Sequence, residues 1–183
     1  MSGLLVFVAV LGAPVVHAPV LALDLFQGLK RPLDGGATIG GRRIFGDNKT
    51  WRGAIFMAGG PALAAVVLTR WPAYRDALPD AVGDAAPLLW GGLVGLGVVV
   101  GELPNSFLKR RLDIAPGTQR RTAGGLALIA LDQGDLVLGV WLCLAPVYVL
   151  PVATAAVAFV VVTAVHLVIN VIGYAIGARS SPL

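Results

Sequence analysis

Charged residues are scarce in this chain of 183 residues, of which only 13% are Asp, Glu, Lys or Arg. A soluble domain carries roughly 25% charged residues, because its surface must interact with water. Hydrophobic residues make up 57% of the chain, and the mean hydropathy is +0.83. This composition excludes a soluble single domain and an intrinsically disordered chain. The sequence therefore predicts a small membrane protein that crosses the bilayer several times.

Cysteine is almost absent as well. Cys143 is the single cysteine, so an intramolecular disulfide is excluded and cysteine usage does not indicate a redox compartment.

The first 23 residues lack any charged side chain. Because a secretory signal peptide begins with basic residues, we interpret this segment as a retained membrane-spanning helix.

Five apolar stretches approach the length of about 20 residues that an α-helix needs to cross the hydrocarbon core. They predict an all-α integral membrane protein with five transmembrane helices, forming a single membrane domain over residues 1–183. The predicted helices cover about residues 4–23, 53–68, 87–108, 136–150 and 152–176.

Basic residues are concentrated in alternate loops. Residues 24–52 contain six Lys or Arg, residues 102–135 contain five, and the C-terminal tail contains Arg179. Only Arg70 and Arg75 lie between the second and third predicted helices. By the positive-inside rule, we expect two large cytoplasmic loops, a cytoplasmic C-terminus and an N-terminus outside. The predicted location is the cell inner (cytoplasmic) membrane, as a multi-pass protein.

Glycines recur at a spacing of four residues in the predicted helices. Small residues at this spacing let helices approach closely in lipid, either within one chain or between two chains. We favour packing within the chain and keep a homodimer as the alternative. The pairs are Gly91 with Gly95, Gly97 with Gly101, and Gly173 with Gly177.

The first cytoplasmic loop combines five glycines between residues 35 and 46 with several basic side chains. Such a loop lets the backbone approach an anion. Gly41 and Gly46 have the spacing of a P-loop, but two residues separate Gly46 from Lys49 and no strand precedes them, so this is not a Walker A motif. The alternative is that the loop serves only as a positive-inside signal.

A polar stripe is predicted at the cytoplasmic end of the third helix. If the helix is continuous, five polar side chains share one face, and an ionisable group in such a place is a functional hypothesis. The alternative is an ordinary amphipathic helix end. The stripe consists of Glu102, Asn105, Ser106, Lys109 and Arg110.

Asp132 and Asp135 lie at i and i+3, at the entrance to the predicted fourth helix. Two carboxylates on one face can hold Mg²⁺ together with substrate phosphates. The alternative is a favourable interaction of acidic residues with a helix N-terminus.

On the fifth predicted helix, polar residues again share a face. For these residues we favour hydrogen bonding to neighbouring helices over a catalytic role. These residues are Thr163, His166, Asn170 and Tyr174.

Several of these segments together resemble the diagnostic motifs of the CDP-archaeol synthase family. Their order and spacing agree with the family, so the resemblance covers nearly the whole chain. The segment Asp-Asn-Lys-Thr-Trp-Arg-Gly is the most specific of them. The matching segments are residues 43–53, 105–111, 115–117, 132–135 and 166–170.

The resemblance implies a cytidylyltransferase that transfers CMP from CTP to a membrane lipid phosphate, giving CDP-lipid and pyrophosphate. Its cofactor would be Mg²⁺, its partners CTP and a lipid phosphate in the bilayer, and no nucleic acid. Catalytic roles are assigned to Lys49, Lys109, Arg110, Asp132 and Asp135. Substrate binding is assigned to Asp47, Asn48, Thr50, Arg52, Asn105, Ser106 and Arg111. Metal binding is assigned to Asp132, Asp135 and Glu102.

The sequence departs from the family pattern in three places. Glu102 stands where archaeal members have Asp, His17 replaces an Asn, and residues 117–131 form a long segment. These departures predict a bacterial branch of the family. They leave the acceptor open: it is an archaeal-type ether lipid, a phosphatidic acid (the substrate of phosphatidate cytidylyltransferases) or another lipid phosphate.

A small membrane transporter or channel for an anionic solute is the alternative function. In that case the same basic residues would line its entrance. The predicted spans show no inverted repeat, and the polar groups gather on one side of the membrane only, which favours the enzyme.

Overall fold

The computed structural model describes residues 1–114 and 123–175, with side chains in the second range described from Gly134 to Val165 and at Val168 and Val171. A 3₁₀ segment, Ser2–Leu11, leads directly into the first α-helix. The helices are α1 (Gly12–Ala22), α2 (Trp51–Leu68), α3 (Pro72–Arg75), α4 (Asp80–Gly83), α5 (Pro87–Arg111), α6 (Ala123–Leu144) and α7 (Val152–Ala175).

Three helical stretches of the described chain are long and apolar enough to cross a membrane. They are Ser2–Ala22, Trp51–Leu68 and Pro87–Arg111, while Gly134–Leu144 and Val152–Val165 form shorter apolar helices. Large apolar side chains face outward from these helices, as they do when the surrounding solvent is lipid rather than water. The outward-facing residues include Val15, Leu63, Leu88, Leu142 and Val160. The prediction of a mainly helical membrane protein is confirmed.

Helices α1, α2, α5 and α6 pack against one another through glycines. A Cβ atom added at Gly95 on α5 would overlap the backbone of Ala58 on α2, and one added at Gly101 would overlap the carbonyl oxygen of Asp135 on α6. Gly91 and Gly97 make similarly close approaches to α2 and α6. The interpretation of these glycines as packing positions within the chain is confirmed. The pair Gly173 and Gly177 reaches beyond the described residues.

The predicted bounds of the fourth helix, 136–150, are wrong. The helix covers Ala123–Leu144 and ends two residues before Pro146. The apolar run that follows is not helical, because Pro146 and Pro151 disfavour helical backbone in the residues before them. The other boundaries shift less: the first helical stretch begins at Ser2, α2 begins at Trp51, and α5 continues to Arg111.

This correction changes the position of the acidic pair in the helix. Asp132 and Asp135 lie more than two turns beyond Ala123, rather than at the entrance to the helix. The helix dipole acts on charges only within the first or last turn. The alternative explanation of the pair as a helix N-terminus therefore does not apply.

A short hairpin lies within the first cytoplasmic loop, where the all-α prediction had no strand. β1 (Thr38–Ile39) pairs antiparallel with β2 (Arg42–Arg43). Glycines at residues 40 and 41 make the turn with positive φ angles of 59° and 75°, a conformation that side chains with a Cβ rarely adopt. The glycine-rich segment is thus an ordered turn of a hairpin.

Candidate active site

Lys49 and Glu102 form an ion pair between the first cytoplasmic loop and α5. The Lys49 ammonium donates a hydrogen bond to the Glu102 carboxylate, and both side chains are largely buried. Lys49 is placed by the start of α2, where the Thr50 hydroxyl accepts a hydrogen bond from the Gly53 amide at 3.1 Å and so caps the helix. The local helix start therefore brings a predicted catalytic lysine to the polar stripe of α5.

Asp135 and Asn105 connect α5 with α6 at their closest approach. Because Gly101 lacks a side chain, α6 lies directly against α5, and the Asn105 amide donates to an Asp135 carboxylate oxygen at 3.4 Å. Asn105 and Ser106 are both buried. Burying polar side chains inside an apolar helix bundle costs free energy unless they form hydrogen bonds. The predicted residues Asn105 and Asp135 are thus brought together, whereas the Asp132 side chain lies outside the described residues.

Arg52 links the first turn of α2 to the end of α1. Its side chain is buried, and its Nη1 donates to an Asp24 carboxylate oxygen at 2.7 Å and to the Leu25 carbonyl at 2.9 Å. The hydrogen bond from Arg52 lowers the pKa of Asp24. The Phe26 and Phe56 rings pack at the same junction, 4.8 Å apart. Arg52 therefore holds α1, the loop and α2 together at the base of the site.

His17 of α1 lies beside the start of α2. Its Nε2 is buried and has no hydrogen-bond partner among the described residues. A Cβ added at Gly53 would be 3.8 Å from this nitrogen, and the imidazole interacts electrostatically with Arg52 and Glu102. The structure thus places His17 next to the site. Its role could not be assigned from the sequence, because nothing adjacent to it in sequence is polar.

Arg111 holds the first loop against the end of α5. Its guanidinium donates to the carbonyl oxygens of Ile39, Arg42 and Arg43, the last at 2.6 Å. In return, Arg42 donates to the Arg111 carbonyl at 3.1 Å and to the Asp113 carboxylate at 2.6 Å. The hydrogen bonds that the described Arg111 guanidinium donates, at a predicted substrate-binding residue, are therefore to the loop backbone, and the guanidinium also lies 4.9 Å from the centre of the Phe107 ring.

The remaining predicted residues on this side surround the same region. The Arg110 side chain passes 3.5 Å from the position that a Cβ of Gly46 would occupy, so it packs beneath the loop. Lys109 is half-buried one residue earlier. Asp47 and Asn48 form an exposed turn just before Lys49. Arg110 therefore lies against the loop, whereas the exposed Asp47 carboxylate accepts a hydrogen bond from Arg43 of the same loop.

The donor groups at the site suit Mg²⁺, which prefers carboxylate oxygens supplemented by substrate phosphates. Asp135 and Glu102 supply carboxylates from neighbouring helices, and Asn105 orients the first of them. Within the described residues, no group of three or more His, Cys, Asp or Glu side chains forms a metal cluster. A metal there would thus depend on phosphate oxygens or on Asp132.

The predicted polar face of the last helix is only partly described. Thr163 is half-buried on α7. The side chains of His166, Asn170 and Tyr174 lie outside the described residues, so their predicted interactions stay predictions.

Comparison with solved structures indicates the class of protein. The fold is similar to that of a structure described as an intramembrane enzyme for archaeal membrane lipid biosynthesis, with a TM-score of 0.65, 28% sequence identity and 91% of each chain covered. An intramembrane enzyme agrees with apolar helices that enclose a polar, charged site.

The sequence matches the CarS-like CDP-archaeol synthase family over residues 4–183. Curated relatives named CDP-archaeol synthase include proteins of Halobacterium salinarum (40% identity, 83% of each chain covered) and Pyrococcus abyssi (35% identity, 78% and 77%). A third, from Methanoculleus marisnigri, is 37% identical and covers 91% of this chain and 97% of its own. The chain belongs to the CDP-archaeol synthase family.

These relatives do not support the expectation of a bacterial branch, because the organisms named are archaea. The features that suggested it are Glu102, His17 and the segment 117–131, and a chain that carries them matches the family over residues 4–183. A glutamate in place of an aspartate at residue 102 keeps the carboxylate that pairs with Lys49.

Proposed function

We propose that this chain transfers the CMP group of CTP to the phosphate of an archaeal-type ether lipid, at a site between the first cytoplasmic loop, α5 and α6. Family membership supports the reaction, and the names of the relatives and of the structural neighbour support the lipid class. The observation that carries the site is the convergence of Lys49, Glu102, Asn105 and Asp135 from three separate segments.

The main barrier to this reaction is the repulsion between the negatively charged reactants, and not a proton transfer. A lipid phosphate is already ionised at neutral pH and attacks the α-phosphorus of CTP directly. A new phosphorus–oxygen bond forms to the lipid phosphate, the bond between the α-phosphorus and the bridging oxygen breaks, and pyrophosphate leaves with that electron pair. Fixed positive groups aimed at the developing charge lower the barrier. In this proposal Lys49, Lys109 and Arg110 supply them.

The Lys49–Glu102 pair compensates two opposite charges within the site. Each side chain neutralises the charge of the other in a partly buried position, where an isolated charge is costly. An arriving triphosphate competes with Glu102 for the Lys49 ammonium. The displaced Glu102 carboxylate would then be free to hold a metal ion, so one exchange of partners would connect the predicted roles of both residues.

Magnesium is proposed as the cofactor, held by Asp135 with Asp132 and Glu102. When bound, it would polarise phosphate oxygens and stabilise the leaving pyrophosphate. The protein's own contribution is orientation: Asn105 fixes Asp135 by a hydrogen bond, and Gly101 lets α6 approach α5. Arg52 and Arg111 hold the surrounding segments in place through Asp24 and the loop carbonyls.

The proposed topology keeps five spans, with α6 and α7 as the fourth and fifth. The N-terminus lies outside, and both large loops and the C-terminus are cytoplasmic, in the cytoplasmic membrane. The charge bias supports this orientation, and it gives the site access to the cytosolic CTP pool. A homodimer stays an alternative that rests on the sequence pair Gly173 and Gly177 alone, since Gly91, Gly95, Gly97 and Gly101 pack within the chain.

Product analysis tests the proposed function. Purified protein is incubated with CTP, Mg²⁺ and, separately, a diether glycerol phosphate or a diester phosphatidic acid, and products are identified by mass spectrometry. We expect CDP-lipid and pyrophosphate, with the diether acceptor preferred. Preference for the diester would contradict the assigned acceptor. No CDP-lipid from either acceptor, together with uptake of an anionic solute into proteoliposomes, would support the transporter instead.

A further inference from the structure

We infer that Asp34 is a positioning residue that fixes Lys49 in the site, an inference that rests on the proposed role of Lys49 in nucleotide binding. Asp34 belongs to the first cytoplasmic loop, and its side chain is 1% exposed. It lies outside the motifs that carry the family resemblance. A buried carboxylate in a loop is costly unless several donors satisfy it.

Four donors converge on the Asp34 carboxylate. One oxygen accepts from the Arg43 guanidinium at 2.6 Å and from the Gly36 amide at 3.0 Å. The other accepts from the amides of Phe45 and Gly46, at 2.9 and 3.2 Å. The carboxylate thus connects the segments on both sides of the hairpin. A side chain of this size with two charged acceptor oxygens is needed to accept all four hydrogen bonds.

These donors also keep Asp34 ionised. Burial by itself raises the pKa of a carboxyl group, but the Arg43 hydrogen bond and the three backbone amides outweigh it and hold the pKa well below the usual range. The charge is therefore permanent at physiological pH. A charged acceptor makes hydrogen bonds roughly twice as strong as a neutral one does.

A closed circuit of hydrogen bonds connects Asp34 to Lys49. The Asp34 carboxylate accepts from the Gly46 amide, and the Gly46 carbonyl accepts from the Lys49 amide at 3.2 Å. The Lys49 carbonyl then accepts at 2.7 Å from the amide of Leu33, the neighbour of Asp34. The backbone of Lys49 is held from both sides by a circuit that contains Asp34.

Gly46 makes this circuit possible. Its φ angle of 96° lies in the left-handed region, which a residue with a Cβ adopts only under strain. In this conformation its amide faces Asp34 while its carbonyl faces Lys49. The circuit therefore determines where the Lys49 side chain begins, and hence whether its ammonium reaches Glu102 and an incoming phosphate.

The test combines Asp34→Asn with Lys49→Ala in a double-mutant cycle. Asparagine keeps the shape but offers one acceptor oxygen and no charge. Displacement of a substrate-positioning group by about 1 Å can cost ~10²-fold, so we expect Asp34→Asn to raise the KM for CTP by at least about tenfold. In a Lys49→Ala background the same substitution should change KM little, because residues that act through one another are not additive.

A readout independent of activity accompanies the cycle. Asp34→Asn should speed trypsin cleavage after Arg43 in the detergent-solubilised protein, because Arg43 loses its buried partner. Asp76→Asn, at an exposed carboxylate between α2 and α5, serves as the control and should leave both KM and cleavage unchanged. If Asp34→Asn does not insert, Arg43→Gln removes one of the four donors and should likewise raise the KM for CTP. Because this variant has no trypsin site at residue 43, its proteolysis is followed at Arg42, where cleavage should also be faster.

The outcomes separate the inference from the proposed function. An unchanged KM in Asp34→Asn, with a raised KM in Lys49→Ala, overturns the inference alone. Fully additive effects also overturn it, since they indicate a general structural role. An unchanged KM in Lys49→Ala overturns the proposed role of Lys49 and the positioning role with it, even if cleavage after Arg43 accelerates.

Discussion

Gly101 of α5 and Asp135 of α6 lie in direct backbone contact, so that a Cβ on Gly101 would overlap the Asp135 carbonyl oxygen. This contact sets the position of the only described acidic side chain on α6, and it allows the Asn105 amide to reach the Asp135 carboxylate. The proposed metal site and the helix crossing therefore depend on the same contact. A change that separates the helices should affect both stability and catalysis.

We expect Gly101→Ala to lower both the melting temperature and the rate of CDP-lipid formation. Overpacking of a close contact costs about 1–3 kcal/mol. Gly92→Ala is the matched control, because nothing lies within 4 Å of the Cβ that it would add to the same helix. Thermal unfolding in detergent and initial rates measure both effects. Equal behaviour of the two variants would contradict the close approach of α5 and α6.

The ion pair predicts different kinetic consequences for its two members. Lys49→Ala should raise the KM for CTP by about tenfold, in the range of a lost charged hydrogen bond. Glu102→Gln removes the competitor of the triphosphate while weakening the metal site, so it should lower kcat without raising KM. Steady-state kinetics with varied CTP measure both. A raised KM in Glu102→Gln would contradict the proposed exchange.

The low pKa of Asp34 predicts a stability difference at acidic pH. Since the pKa is lower in the folded protein than in the unfolded chain, Asp34 stabilises the fold above the unfolded value of 3.8. This contribution is lost as the pH falls below about 4 toward the folded pKa. Melting temperatures of wild type and Asp34→Asn should therefore differ at pH 7 and converge as the pH falls. A difference in melting temperature that stays the same at every pH would contradict the low pKa assigned to Asp34.

Topology is tested by cysteine labelling in a Cys143→Ala background. Gly28 and Ala81 are both exposed and lie in the two loops that the charge bias assigns to opposite sides. In intact cells, a membrane-impermeant thiol reagent should label Ala81→Cys and not Gly28→Cys. Both should react after the membrane is permeabilised, which controls for accessibility. The reverse pattern would place the proposed site away from cytosolic CTP.

The sequence predicted those parts of the protein that local patterns encode. Helical periodicity placed Glu102, Asn105 and Ser106 on one continuous helix, and the structure contains that helix. Small residues four apart predicted close helix contacts, which Gly95 and Gly101 make. Both patterns depend only on residues within the same helix.

The parts that the sequence did not predict depend on distant partners. The start of α6 was missed because its polar residues suggested a loop, yet Asn105 from α5 donates a hydrogen bond to Asp135 inside the helix. The Asp34 cluster was missed because its donors include Phe45 and Gly46, whose backbone amides have no sequence signature. The one local signal is Asp34 two residues before Gly36, the spacing of an Asx-turn.

The central claim, CMP transfer at the site between α5 and α6, is tested most directly by the turnover of Asp135→Asn. The substitution keeps the shape of the side chain and removes one negative charge. Initial rates of CDP-lipid formation are measured beside the melting temperature, with Asp76→Asn as the control. We expect normal insertion and a rate reduced by ~10²–10³, the usual loss for one electrostatic contact to the transition state. Wild-type turnover in a folded Asp135→Asn protein would contradict the account.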